Sequence, residues 1–522
     1  MRQDRQASMT GSGISRRGPT LSQILSHRAR EQGEELAHVT LDGELRYRTW
    51  DEESSAIASG LQQFGIARGE VVGLAFDGRG WLELAVAYIG VHRAGATCLL
   101  MNYTAAPAEL RAQVSMLGGR VVISNTRETL SFPDLLIDVR GIKDMAVTKR
   151  HKTPPNSEDI ADIIFTSGTT GSSRAVACTH ANVAYECQHR GGPIPWEVED
   201  GVILHARPPI GAGGQGRIAV PLLTGLPLVS LPVFDPQLLC EEIVKRFVRH
   251  LSLAPAMATE LVNWPHAIKY NLSSVVTVGF GSAPLPSSTI VGLAELFPSA
   301  RLFNQYSSTE ALPSRVRGTL DPDNPDMVGR PDHDTSISIR DPETAEELHP
   351  GEVGEIWLST PGVRPRHYVG TAPDARSNEW VRMGDLGRVD ESGRLKLVGR
   401  LKEVINRGGV KISPAHVERA LESLPEVIEA AVFAIPHRIL GEDVAAALVT
   451  ISSTTAVDIR CALRDKLGQH QMPQIIVVLD ELPRGPTGKI QKRELVTVIG
   501  EVAQDREDRP RTRAANMRRD CR

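Results

Sequence analysis

The chain has 522 residues, of which 41% are hydrophobic, enough for a large core or several domains. The formal net charge is −4, and because both ends are basic the body is more acidic than this total, which argues against a general nucleic-acid binder. The six cysteines contain no C-x-x-C pair, which argues against a zinc site and suggests reduced thiols and a cytoplasmic location.

The chain opens with a polar, basic stretch that lacks the apolar core of a secretion signal. Further along, apolar runs alternate with amphipathic stretches. The pattern predicts strands at 71–76, 97–101 and 121–124 and helices at 81–93 and 108–117. That alternation favours an α/β fold with parallel-type sheets covered by helices. The most apolar segment is interrupted by His92 and Arg93, so we expect no membrane span.

The next predicted strand, 160–165, runs into a loop of hydroxyls and glycines that ends at Arg174. Small residues after a strand bring backbone N–H groups close to phosphate oxygens, and an arginine adds a planar cation. A flexible Ser/Gly linker is the alternative. No Gly-Lys-Ser/Thr closes the loop, so the pattern predicts a nucleotide phosphate site that is not of the Walker type.

Two motifs in the middle of the chain are weak when taken singly. Residues 281–284 form a predicted turn of small residues, and 304–310 combine Tyr306 with hydroxyls and the carboxylate of Glu310. An aromatic ring can stack on a base, and a carboxylate can hold Mg²⁺. A core tyrosine and a surface acid are the competing interpretation.

Near residue 400 the pattern changes to that of a small α+β domain. Asp385 and Arg400 are candidates for binding ribose hydroxyls, although an aspartate in a strand-end turn is the alternative. Residues 406–412 contain paired glycines that would let something narrow pass the backbone. Residues 483–490 form a Pro/Gly loop that presents Lys489.

Taken together, the order and spacing of these motifs resemble the adenylate-forming superfamily: acyl- and aryl-CoA synthetases, free-standing adenylation enzymes and beetle luciferases. The resemblance covers roughly residues 20 to 500. It implies a large N-terminal domain, 18–400, and a small mobile α+β C-terminal domain, 401–504. Residues 1–17 and the Arg-rich 505–522 are predicted to be disordered tails.

The resemblance implies a role for each motif residue. The positions implied for the β- and γ-phosphates of ATP are Thr166, Ser167, Gly168, Thr169, Thr170 and Gly171, closed by Arg174. Those implied for adenine and ribose are Gly281, Ser282, Ala283, Pro284, Tyr306, Asp385 and Arg400. Those implied for catalysis are Thr309 at the α-phosphate, Glu310 on Mg²⁺ and Lys489 between the substrate carboxylate and the α-phosphate. Lys402 would be the hinge, and Gly408 and Gly409 would line a pantetheine tunnel.

The sequence departs from the family pattern in three places. The phosphate loop ends in Ser173-Arg174-Ala175 instead of Pro-Lys-Gly, and Ser307 replaces the glycine after the tyrosine, near the acyl pocket. The third departure is a glycine-rich segment where relatives carry pocket residues; its candidates are Arg207, Gly211, Ala212, Gly213, Gln215 and Gly216. In members of the family that activate amino acids, an aspartate pairs with the α-amine of the substrate. Ala212 aligns with that aspartate, so we disfavour an α-amino acid as the substrate. The glycines predict either a roomy pocket or a mobile loop, and the alternative is a plain glycine-rich loop that does not select the substrate. Arg207 and Gln215 are candidates for binding a polar or second acidic group of the substrate.

The resemblance implies a cytoplasmic, AMP-forming ligase that uses ATP and Mg²⁺ to activate a small carboxylic acid and transfers the acyl group to CoA. The first alternative is a free-standing adenylation enzyme that loads the phosphopantetheine of an external acyl or peptidyl carrier protein, or transfers to an amine. No carrier module follows residue 500, so we expect the thiol to come from outside. The alternative from another class is a catalytically silent acyl-adenylate-binding protein, which the retention of Asp385, Arg400 and Lys489 disfavours.

Overall fold

We describe the protein from a computed structural model. The structure describes residues 18–125, 136–145, 155–166, 174–188, 200–332, 334–370, 380–451, 454–485 and 488–497. Both predicted tails, and Ser167 to Gly171 of the phosphate loop, lie outside these residues. Across the described ranges, no helix is both long and apolar enough to cross a membrane.

The chain forms two compact units, each built from several stretches of sequence. The first unit comprises Met1–Gly192, Pro209–Pro232 and Val363–Ala375, and the second comprises Pro193–Pro208, Val233–Gly362 and Arg376–Arg522. The predicted boundary between 400 and 401 is a different division and stays a prediction.

Twelve helices of the described residues are labelled in chain order. They are α1 (Leu21–Glu31), α2 (Tyr47–Gln63), α3 (Trp81–Ala94), α4 (Pro107–Met116), α5 (Val139–Asp144), α6 (His180–Gln188), α7 (Gly211–Thr224), α8 (Pro236–Arg246), α9 (Pro255–Asn263), α10 (Ser287–Leu296), α11 (Pro414–Glu422) and α12 (Ala456–Ala462). Short 3₁₀ helices span Ala267–Lys269 and Leu401–Glu403.

The strands of the described residues are labelled in the same way. They are β1 (Leu36–Val39), β2 (Glu44–Arg46), β3 (Val71–Ala75), β4 (Thr97–Leu100), β5 (Val121–Ser124), β6 (Leu136–Ile137), β7 (Ile160–Thr166), β8 (Arg174–Thr179), β9 (Val202–His205), β10 (Leu228–Ser230), β11 (Val248–Ser252), β12 (Thr277–Gly281), β13 (Arg301–Tyr306), β14 (Val316–Thr319), β15 (Met327–Pro331), β16 (Ser336–Arg340), β17 (Gly354–Ser359), β18 (His367–Tyr368), β19 (Trp380–Val389), β20 (Leu395–Arg400), β21 (Ile405–Arg407), β22 (Val410–Ile412), β23 (Val427–His437), β24 (Gly441–Thr450) and β25 (Ile475–Val478).

The first unit is organised around a sheet of order β18-β8-β7-β4-β3-β5-β6. Its centre is parallel, from β7 through β4 and β3 to β5 and β6, while β7 and β8 form an antiparallel pair. Helix α3 is apolar on nearly every side and is buried along almost its whole length, as expected for a helix enclosed by its neighbours. Trp50, Trp81 and Tyr88 are fully buried in this core.

The second unit contains a mixed sheet and a small C-terminal sheet. Strands β9, β11, β12 and β13 are parallel, and antiparallel pairing continues through β14, β15, β20, β19, β17 and β16. The C-terminal sheet has the order β22-β21-β24-β23, with β25 parallel to β24. Its core includes Val417, Val432 and Ala446, each fully buried.

Two expectations from the sequence need correction. The glycine-rich segment at 211–216 is the first half of helix α7, not a loop. The helix forms despite its glycines because Ile218 and Leu222 are buried in the core and Gly225 ends it in the left-handed conformation. Among the cysteines, Cys98, Cys178, Cys187 and Cys240 are free thiols, whereas Cys461 is disulfide-bonded, so the expected reduced state is wrong for Cys461.

Candidate active site

The predicted adenine-binding residues follow the carboxyl ends of two neighbouring parallel strands. Gly281 is the last residue of β12 and pairs in register with Gln305, directly before Tyr306 at the end of β13. Carboxyl ends of parallel strands are the usual ligand-binding edge of an α/β sheet. The topology therefore brings the turn at 281–284 and the segment 306–310 to the same edge.

A hydrogen-bonded group of Tyr306, Asp385 and Arg400 lies beside this edge. The Tyr306 hydroxyl donates to Asp385 Oδ2 at 2.8 Å, and Arg400 Nε lies 3.2 Å from Asp385 Oδ1. Asp385 and Arg400 are register partners on the antiparallel strands β19 and β20. Burial raises the pKa of Asp385, and the charge of Arg400 opposes this shift. The group combines an aromatic ring with hydrogen-bond donors and acceptors, as recognition of a nucleoside requires.

Lys489 is brought to the same group by a tight loop. The Gly485 N–H donates to the Lys489 carbonyl at 2.8 Å, and Arg484 Nη1 donates to the Gly488 carbonyl at 2.8 Å. Gly488 has φ +81, which a side chain would strain. Surrounding protein lowers the pKa of Lys489 by burial and then by the charge of Arg400, while Asp385 and Glu310 raise it. The lysine is thus electrostatically coupled to three other predicted site residues.

Arg207 holds the adenine-side turn in place. It follows β9 and donates to Ser282 Oγ at 3.2 Å, to the Leu253 carbonyl at 2.7 Å and to the Gly281 carbonyl at 3.4 Å. Ser282 has φ +88, a conformation that is costly for a residue with a Cβ and needs support from its surroundings. Arg207 therefore contacts predicted ATP-site residues, and its proposed contact with the acid stays a prediction.

The segment after Tyr306 supplies hydroxyl and carboxylate groups. Ser307 Oγ donates to the Ser314 carbonyl at 2.6 Å, so this hydroxyl is occupied within the protein. Thr309 and Glu310 lie in the turn that follows and are half-buried. The Glu310 carboxylate, which acts electrostatically on Lys489, is of the type that Mg²⁺ prefers, so the residues present fit the implied metal.

The described ends of the phosphate loop lie on the β7–β8 pair. Thr166 and Arg174 are register partners, and Thr166 Oγ1 donates to the Arg174 carbonyl at 3.5 Å. The Arg174 guanidinium lies 5.2 Å from the centre of the Tyr368 ring, a cation–π distance. The pairing confirms a strand that leads into the loop.

The predicted hinge and tunnel residues lie at the start of the C-terminal sheet. Lys402 is exposed in the short 3₁₀ helix before β21. Gly408 and Gly409, with φ +59 and +91, form the turn between β21 and β22. The Gly408 N–H donates to the Leu440 carbonyl at 2.9 Å, and the Gly409 N–H donates to Asn406 Oδ1 at 3.0 Å. The turn is therefore ordered by its own hydrogen bonds.

Helix α7 carries the glycines, Ala212 and Gln215 of the proposed acid pocket. A Cβ added at Gly211, Gly213 or Gly216 would meet no atom within 4 Å, so these glycines border open space. Gly214 instead packs tightly, since a Cβ there would lie 2.7 Å from the Pro209 carbonyl carbon. Ala212 is half-buried beside them.

Gln215 points away from this open space into a buried polar network that we did not predict. It is 3% exposed, donates to Asp162 Oδ2 and accepts from Arg366 Nη2 at 3.1 Å. Asp162 also accepts from the Tyr88 hydroxyl at 2.7 Å and lies 2.9 Å from His92 Nε2. The available signal in the sequence was one acidic residue in the otherwise apolar strand 160–165, and His92 interrupting an apolar helix.

Comparisons with known proteins agree on one family. The AMP-binding enzyme family matches residues 25–368, and the AMP-binding enzyme C-terminal domain matches residues 416–489. A peroxisomal OPC-8:0-CoA ligase 1 of Arabidopsis thaliana is 29% identical over 387 residues, covering 70% of this chain and 69% of the relative.

Two solved structures are similar over nearly the whole chain. ATP-bound MatB from Rhodopseudomonas palustris has a TM-score of 0.82 and 25% identity, covering 92% of this chain and 99% of that one. The amide bond synthetase McbA from Marinactinospora thermotolerans has a TM-score of 0.77 and 24% identity, covering 92% and 99%. The second likeness concerns the fold alone.

Proposed function

Because the chain belongs to the AMP-binding enzyme family, we propose that it activates a carboxylic acid with ATP and transfers the acyl group to the thiol of CoA. The observation that carries the proposal is that Arg400 Nε lies 3.2 Å from Asp385 Oδ1 and that Lys489 lies where the charges of both, and of Glu310, act on it. These are the residues that the resemblance assigns to ribose, the reacting carboxylate and the metal. Relatives named as CoA ligases support the choice of thiol.

In the first half-reaction, a carboxylate oxygen attacks the α-phosphorus of ATP, and the bond to pyrophosphate breaks. Both reactants are anions, so a cation held between them lowers the barrier by binding both and stabilising the charge of the transition state. Lys489 supplies this cation, and Thr309 donates to the α-phosphate. Glu310 would hold Mg²⁺, which when bound neutralises phosphate charge. A general base is unnecessary because the acid is already ionised at neutral pH.

In the second half-reaction, the thiol sulfur attacks the acyl carbon, and AMP leaves with the bonding electrons. The turn at Gly408 and Gly409 supports passage of a narrow pantetheine arm, since neither residue carries a side chain. Lys402 is exposed in the short helix before β21. It is our candidate for the hinge about which the C-terminal domain would turn between the two half-reactions. An external carrier protein or an amine is the alternative acceptor.

Acid-dependent exchange of labelled pyrophosphate into ATP tests the activation step. A panel of aliphatic and aromatic acids should give exchange with at least one acid, with no exchange when acid is omitted. Absence of exchange with every acid, in protein shown to be folded, would favour the silent acyl-adenylate binder. Supplying CoA, a phosphopantetheinyl carrier protein or an amine to the active acid then identifies the acceptor.

A further inference from the structure

Lys492, which follows Lys489 by three residues, is bound by two carboxylates from different elements. Its Nζ lies 2.8 Å from Glu403 Oε2 in the 3₁₀ helix Leu401–Glu403 and 2.8 Å from Glu418 Oε1 in α11. Burial lowers the pKa of Lys492, but the charges of Glu418 and Glu403 outweigh burial and raise it. The ammonium group is therefore held firmly, because partly buried ion pairs are screened less by salt than exposed ones.

The Glu403 carboxylate also connects Lys492 to the group around Asp385. Arg400 Nη1 lies 4.0 Å from Glu403 Oε1, and Arg400 Nε lies 3.2 Å from Asp385 Oδ1. Opposite charges thus alternate from Asp385 through Arg400 and Glu403 to Lys492. Because three residues of chain span at most about 11 Å, the place of Lys492 limits where Lys489 can lie.

The loop before Lys492 has other contacts, and they lead to the C-terminal sheet. Arg484, at the start of the loop, forms an ion pair with Glu429 of β23. Leu495, after the loop, is fully buried in the core of that sheet. Glu403 differs because it lies in the short helix that directly follows β20. Its ion pair with Lys492 therefore joins the loop to the end of β20.

We propose that Glu403 and Lys492 are positioning residues for the activation step: their ion pair holds the segment that carries Lys489, so that its ammonium reaches both the substrate carboxylate and the α-phosphate. The inference rests on the proposed function, since it names the residues that place the proposed catalytic lysine. Placement matters because displacing a reacting group by about 1 Å can cost about 100-fold in rate. The pair acts in the activation step alone, because transfer to a thiol needs no cation between a carboxylate and the α-phosphate.

The test separates the two half-reactions in Lys492→Met, Glu403→Met and the double variant. Pyrophosphate exchange is measured with whichever of acetate, octanoate, malonate and benzoate exchanges fastest in the wild type. We expect each single variant to lower kcat for exchange by at least about 10-fold while KM for ATP changes by less than about 2-fold, since Lys489 acts in the transition state. Acyl transfer from the preformed adenylate to CoA should stay within about 2-fold of the wild type.

Rescue and control variants distinguish positioning from a purely structural role. Lys492→Arg keeps a cation that pairs with carboxylates and should recover most of the exchange. The double variant should be no slower than the slower single variant, as for two residues that act through one contact. Lys466→Met removes an exposed lysine near the end of the chain and should exchange like the wild type. Glu403→Gln and Lys492→Gln replace any methionine variant that does not fold.

The outcomes separate this inference from the ligase proposal. Lower kcat with retained transfer, recovered by Lys492→Arg, supports the positioning pair. Unchanged kcat in both single variants overturns the inference while the ligase proposal stands. Equal loss in both half-reactions, or losses that multiply in the double variant, also overturns it, since the two residues would then serve the fold or act separately. Failure of the wild type to exchange with every acid removes both.

Discussion

At the scale of single residues, the most specific proposed role is that of Lys489, which would bind both the substrate carboxylate and the α-phosphate. Lys489→Ala should reduce acid-dependent pyrophosphate exchange by at least about 100-fold, the effect of removing one preorganised stabilising group. The structural reason is that Lys489 lies where the charges of Asp385 and Glu310 act on its ammonium group.

The exposed lysine of β22 provides a control for this prediction. Lys411→Ala removes the same charge from the C-terminal sheet without touching the Tyr306–Asp385 group, and should retain exchange. Undiminished exchange in Lys489→Ala would show that the lysine has another role.

The candidate site residues that the sequence analysis named differ in a physical way from the network residues that it did not name. Lys489, Asp385 and Tyr306 were predictable because short motifs of glycine, proline and hydroxyl residues surround them. Arg366 and Asp162 were not, because their partner Gln215 is distant in sequence and only the packing of α7 brings them together. Gln215 itself was predicted as a substrate contact, yet its side-chain amide forms hydrogen bonds with Asp162 and Arg366.

At the scale of elements, the turn between β21 and β22 makes a separable prediction. Gly408→Val should slow transfer to CoA while pyrophosphate exchange continues, because the side chain would occupy the proposed path of pantetheine. A Cβ there would lie 3.0 Å from Leu440 Cδ2, and φ +59 adds strain.

Single-turnover formation of acyl-CoA from preformed adenylate measures this step, and exchange in the same sample is the internal control. Equal loss of both half-reactions would place Gly408 outside the thiol path and in the general stability of the hairpin.

Helix α11 carries a pH-dependent contribution to stability. Burial, followed by the charges of Glu418 and Glu429, raises the pKa of Glu422 to about 8. The folded state then binds a proton that the unfolded state releases near its ordinary value of 4.5, so stability falls as pH rises through this interval. Glu422→Gln should remove part of that decline and melt several degrees above the wild type at pH 9, with little difference at pH 5.

Thermal melting between pH 5 and 9 measures the effect. Glu426→Gln is the matched control, since Glu426 is exposed four residues further along the chain. If the wild type and Glu426→Gln lost no more stability between pH 5 and pH 9 than Glu422→Gln does, the assigned protonation of Glu422 would be contradicted.

The predicted elements were confirmed where the apolar pattern and the preferences of single residues agree. Pro107 begins α4 as its place in the first turn predicted, and β5 spans Val121–Ser124 as expected. The glycine-rich start of α7 failed because local propensity opposes a helix there. Contacts of Gln215, Ile218 and Leu222 with distant parts of the first unit outweigh about 1 kcal/mol per glycine.

At the scale of the whole molecule, the α/β architecture and the family follow from the sequence, whereas the grouping into units does not. Each unit takes stretches from both halves of the chain, and such long-range grouping has no signature in local periodicity. The cytoplasmic location and the domain boundary at 400 remain proposals, which limited proteolysis and localisation of a tagged chain can address.

The central claim is that one chain couples ATP cleavage to formation of an acyl thioester. Mass spectrometry of a reaction containing the protein, ATP, Mg²⁺, CoA and the acid that gives the strongest exchange tests it most directly. The account predicts AMP and acyl-CoA in equal amounts, with neither formed by Lys489→Ala. Release of ADP, or AMP without any acyl-CoA while CoA stays unconsumed, would contradict it.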